Sequence, residues 1–140
     1  MDATPVTVAI RSRQTLHGET FRLDQRAAGT LTATAEGWCL RYESPSDGGG
    51  ETSLLLRPGE VRLERRGAAT KMRFQPGAVH PARYETAWGT LDLSVETEYL
   101  GHALTERGGQ VLLRYRLFAQ GQDMGRFVLQ LQIRSAQAET

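Results

Sequence analysis

Apolar and polar residues alternate one for one along most of the chain, and that period confines it to β-structure. Val6, Val8 and Ile10 alternate with Thr7, Ala9 and Arg11. Phe21 and Leu23 alternate with Thr20 and Arg22. The rhythm returns at Leu31–Ala35, Trp38–Tyr42, Leu54–Leu56, Val61–Leu63 and Met72–Phe74. It is longest at Leu91, Leu93, Val95, Thr97 and Tyr99, and it closes with Val111–Leu117 and Phe127–Ile133. The apolar spacing of Phe21–Ala28 is poor for a helix.

Glycine-bearing turn signals separate the runs. They stand at Leu16-His17-Gly18, Ala28-Gly29, Glu36-Gly37, Ser46–Gly50, Pro58-Gly59, Arg66-Gly67, Pro76-Gly77, Trp88-Gly89, Arg107-Gly108-Gly109 and Gln120-Gly121. About ten short strands at this spacing predict an all-β, antiparallel up-and-down barrel of about 8–10 strands. Short connections make sequence neighbours pair in space, and closure removes exposed edges. One domain spanning residues 1–140 is expected. The Gly48–Gly50 loop and a tail after about residue 135 are its expected mobile parts.

The balance of Lys+Arg 17 against Asp+Glu 16 predicts no long-range steering toward nucleic acid or an anionic membrane. Lys71 is the single lysine, and the arginines spread evenly along the chain. The single Cys39 cannot form an internal disulfide, and no signal segment or bilayer-length apolar run is present, so a cytoplasmic setting is expected.

Several pieces, in order, carry a family resemblance. They are Val8–Thr15, Leu40-Arg41-Tyr42-Glu43-Ser44, Arg65-Arg66-Gly67 and Met72-Arg73-Phe74. Tyr84-Glu85-Thr86 with Trp88-Gly89-Thr90-Leu91 follows, then Tyr115-Arg116-Leu117 shortly before Gly121. Together they resemble the YwiB-like family of small bacterial proteins, a family of unknown function. The resemblance implies a calycin-like (lipocalin-type) β-barrel over nearly the whole chain and no particular activity. Ala87 stands where the family commonly has proline, Trp88 where it has tyrosine, and Ala28-Gly29 replaces an acidic-Gly pair.

No motif specifies a reaction. His17, His80 and His102 lack partners at metal-ligand spacing, and no H-E-x-x-H occurs. No G-x-S-x-G elbow is present, and no Ser or Cys has a nearby His. Gly48-Gly49-Gly50 lacks the Lys-Ser/Thr of a phosphate loop. No catalytic residue, metal or cofactor is therefore expected.

The interior is more informative. Arg65 follows Val61 and Leu63 in phase, Tyr99 follows Val95 and Thr97, and Tyr115 lies between Leu113 and Leu117. The strand over residues 78–86 has no clean apolar face, with His80 and Tyr84 on one side and Arg83 and Glu85 on the other. An inward Arg needs an internal acid or an anionic ligand. Arg65, Arg83, Tyr84, Tyr99 and Tyr115 are thus the candidate ligand-binding residues, for a small anionic or amphipathic molecule. The alternative is a protein- or RNA-interaction module on the outer sheet face, where Arg11, Arg13, Arg41, Arg62, Arg73, Arg114 and Arg116 project beside Phe118. Glu43, Glu64, Asp92, Glu96 and Glu98 interrupt that field, which weighs against a nucleic-acid partner. Trp38 and Phe127, in phase with apolar runs, are predicted core residues.

Overall fold

The computed structural model describes residues 3–43, 50–66, 70–86 and 89–136, with backbone alone at residues 85 and 86. The described residues form ten strands: β1 (Thr4–Leu16), β2 (Glu19–Ala33), β3 (Trp38–Glu43), β4 (Glu51–Arg57), β5 (Glu60–Arg65), β6 (Thr70–Phe74), β7 (Val79–Thr86), β8 (Gly89–Thr105), β9 (Gly108–Ala119) and β10 (Gln122–Ser135). Each pairs antiparallel with the next, and β10 returns to β1 to close the barrel. That closure runs from Val6↔Ser135 to Thr15↔Arg126. This is the up-and-down barrel that the alternation predicts. Gly48, Gly49, Gly67, Trp88 and the end of the expected tail lie outside the described residues.

Two mouth-side hairpins turn on consecutive positive φ angles, His17 (52°) with Gly18 (78°) and Gln120 (52°) with Gly121 (82°). That pattern matches the right-handed twist of the flanking strands. The turn expected at Ala28-Gly29 does not form, and β2 runs straight through it. Gly29 lies opposite Tyr42, and a Cβ there would meet the Arg41 carbonyl oxygen. The glycine permits close strand approach instead of a turn.

Inward residues of the floor, the end bearing the Pro58-Gly59 and Pro76-Gly77 turns, form the densest core. Leu31, Leu40, Leu56, Val61, Phe74, Val95, Val111 and Ile133 are all buried there. Trp38 and Phe127 differ from expectation: both are half-buried and pack against the core rather than within it. Trp38 is the first residue of β3, and Phe127 faces a hollow.

Two bulges re-aim side chains, as bulges do. One interrupts β10 between Asp123 and Arg126. The other interrupts β8 between Thr97 and Tyr99. The β6–β7 seam carries a single register pair among the described residues, Lys71↔Arg83. Thr97 ties it from the side. Its Oγ1 accepts from the Gln75 N–H at 3.1 Å and its carbonyl from the Gly77 N–H at 3.2 Å.

Candidate functional site

The other end of the barrel, the mouth, is open. A cavity of about 560 Å³ enters there, walled by Leu63, Met72, Leu93, Leu117, Phe127 and Leu129 among others. Ile10, Ser12, Gln14 and Gln25 complete the β1–β2 side. Leu23, Tyr84, Leu91 and Met124 line it at the rim and are solvent-exposed.

A polar row crosses the cavity wall. Register places Tyr42, Thr52, Arg65 and Thr70 side by side on β3, β4, β5 and β6. All four line the cavity. Each stands in phase with apolar residues below it, as Thr52 does with Leu54 and Leu56, so strand alternation turns it inward. Among the described lining residues Arg65 is the one charged side chain. Burial pushes the Tyr42 hydroxyl above its ordinary pKa, opposed by the Arg65 charge and a hydrogen bond with Thr52.

An aromatic column links floor to mouth. Phe74 meets Tyr115 at 4.7 Å with rings tilted by 58°, and Tyr115 stacks on Phe127 at 5.3 Å and 6°. These separations are those of favourable ring pairs. Burial pushes the Tyr115 hydroxyl well above the ordinary phenol range, and Tyr42 adds in the same direction. Both tyrosines are neutral hydrogen-bonding groups at physiological pH.

The structure gathers three of the five candidates. Arg65, Tyr84 and Tyr115 line the cavity. Arg83 points outward, 76% exposed, with its Nε 4.0 Å from Asp92 Oδ1. The ambiguous strand therefore turns Ala82 and Tyr84 inward and leaves Arg83 in solvent. Tyr99 is also outside, because the β8 bulge breaks the phase that Val95 and Thr97 establish. Its ring lies under Arg114, 5.8 Å from centroid to guanidinium carbon. Thr52, Thr70 and Gln25 are lining residues the sequence reading passed over. In-phase position was their signal, but threonine and glutamine at such positions read as ordinary strand residues.

Two of the histidines have local partners. His80 Nε2 lies 3.0 Å from Gln75 Oε1, and His102 Nε2 lies 2.8 Å from the Arg57 carbonyl. Among the described residues no three His, Cys, Asp or Glu side chains gather to hold a metal ion. No described helix is long and apolar enough to cross a membrane.

The family described as Domain of unknown function (DUF1934) matches residues 8–131. The chain belongs to that family. It is 28% identical over 114 residues to the Uncharacterized beta-barrel protein YwiB of Bacillus subtilis (strain 168), covering 80% of each. The crystal structure of the ywiB protein from Bacillus subtilis matches with a TM-score of 0.85 at 22% identity, over 96% of this chain and 93% of that one. That likeness shows a common fold.

Proposed function

We propose that the barrel binds a small amphipathic anion through its mouth. The observation that carries this reading is the cavity's composition. Apolar walls surround a row holding a guanidinium and a tyrosine hydroxyl, with a second tyrosine facing it. Ligand pockets of about 300–1,000 Å³ have this make-up, apolar lining with few polar anchors. An Arg fork donates to a carboxylate or phosphate in bidentate geometry, and the tyrosine hydroxyls add further donors. The apolar part of the ligand would lie along Leu63, Met72, Leu129 and Phe127. Arg83 and Tyr99 take no part.

The reading includes a cytoplasmic setting. The outer wall carries charged side chains such as Arg11, Arg13 and Asp24, whereas a lipid-facing barrel wall is apolar.

The test is thermal unfolding with decanoate, dodecanoate and the matched alcohol dodecanol. Dodecanoate should raise Tm by about 5–10 °C at a hundredfold excess over Kd. Dodecanol should raise it far less, and Arg65→Met should abolish the acid's advantage. Equal shifts from acid and alcohol, or no shift from any of them, would overturn the proposal.

A further inference from the structure

The near-neutral chain hides a divided charge. Strands β9, β10, β1 and β2 are contiguous in the barrel. They carry eight arginines (11, 13, 22, 26, 114, 116, 126 and 134) and three carboxylates (19, 24 and 123), leaving nine basic and thirteen acidic residues elsewhere. Closure of β1 onto β10 makes this concentration, by joining arginines more than a hundred positions apart in sequence.

One row across this wall is unusual. Register aligns Tyr99, Arg114, Val128, Arg13 and Arg22 on β8, β9, β10, β1 and β2. At about 4.8 Å per strand the row spans roughly 19 Å. Arg13 and Arg22 sit directly opposite each other, an arrangement of like charges that destabilises a sheet. Among the described residues Arg13, Arg22, Arg26 and Arg134 make no ion pair, whereas Arg11, Arg116 and Arg126 do. Arg11, Arg13 and Arg22 border a surface trough of about 380 Å³ with Gln130 and with Asp24, the partner of Arg11. Arg26 and Arg134 flank a second, beside Gln132.

We propose that this wall binds single-stranded nucleic acid through its sugar-phosphate backbone. The uncompensated guanidiniums match phosphates in charge and in fork geometry. Gln130 and Gln132 add amide donors that read no sequence. Exposed Tyr99, under Arg114 at the end of the row, offers a face on which a base can stack. The wall is the convex outside of a barrel. A flexible strand can follow it, while a rigid duplex touches it along one line. Among the described residues Tyr99 is the single large hydrophobic side chain exposed on this outer face, so little is available to insert into a lipid surface.

The experiment is fluorescence anisotropy of labelled oligouridylate and oligothymidylate, titrated with the full chain over a range of salt. Binding should weaken with salt at a log–log slope near −3, about four phosphates at ~0.7 each. Arg13→Gln with Arg22→Gln should weaken it at least tenfold and flatten the slope by about 1.4. Tyr99→Ala should weaken it about fivefold or more. Lys71→Gln, on the opposite wall, should change nothing. All these positions are exposed, and unfolding midpoints confirm that the variants fold. The inference is overturned by absence of binding at low salt, by equal losses from Lys71→Gln, or by capture of phosphatidylglycerol vesicles without capture of either oligonucleotide. None of these readouts depends on the mouth, so failure of the small-ligand reading leaves them intact.

Discussion

Floor and mouth of the barrel share the same strands and the same alternation, yet one is filled and the other is hollow. In the floor, Leu31, Leu40, Leu56, Val61, Phe74 and Val111 are at most 1% exposed. At the mouth, Phe21 is 59% exposed, Leu23 49% and Leu91 43%. Inward positions there go to Ser12, Gln14, Gln25, Thr52, Arg65 and Thr70. Eight-stranded barrels are just wide enough for side chains to fill. Ten strands enclose more, and large apolar side chains close that width only in the floor. A packed end and a hollow end are thereby separated along one axis.

The largest expected effect tests the floor. Phe74→Ala, at a fully buried ring, should cost about 3–5 kcal/mol in denaturant unfolding. A loss below about 1 kcal/mol would remove the floor as the seat of stability. Phe127→Ala sharpens the contrast from the mouth. Its half-buried ring should cost only about 1–2 kcal/mol, while enlarging the cavity and weakening the Tyr115 stack. Equal losses at positions 74 and 127 would erase the distinction.

The smallest effect lies on the outer wall near the floor. Glu60 accepts from Arg73 Nη2 at 2.7 Å and from Arg62 Nε at 2.8 Å. The hydrogen bond from Arg73 is the largest influence holding its carboxyl below the usual range, and Arg62 assists against a counteracting burial effect. A carboxylate with a lowered folded pKa adds stability above its unfolded value of about 4.3. That contribution disappears as pH falls through the lowered folded value. Glu60→Gln should therefore be less stable than the parent at neutral pH, with the gap closing in acid. A gap that persists or widens in acid would rule out the clamp.

Much of the architecture was legible in the residues. Alternation marks most strands, glycine-bearing turns delimit most of them, and short links between them dictate a meander. Arg65 and Tyr115 could be placed inside because Arg65 follows Val61 and Leu63 in phase and Tyr115 lies between Leu113 and Leu117. Tyr99 could not be placed, because a bulge shifts phase without a sequence mark of its own. Arg83 misled for another reason: a strand with ionisable groups on both faces does not say which face is inward until its neighbours pair with it.

What the sequence determined by itself is thus the period and the antiparallel order of about ten strands, set by interactions between residues close in the chain. Tertiary structure alone decided how deep along the axis each inward residue sits, and hence that Tyr42, Thr52, Arg65 and Thr70 form one row. It also decided that half of the arginines, with only three carboxylates among them, share one wall. Both depend on register between strands and on the closure of β10 onto β1. Those are long-range pairings, and a pattern of period two, which repeats identically at every step, carries no mark of where along the barrel a strand will lock.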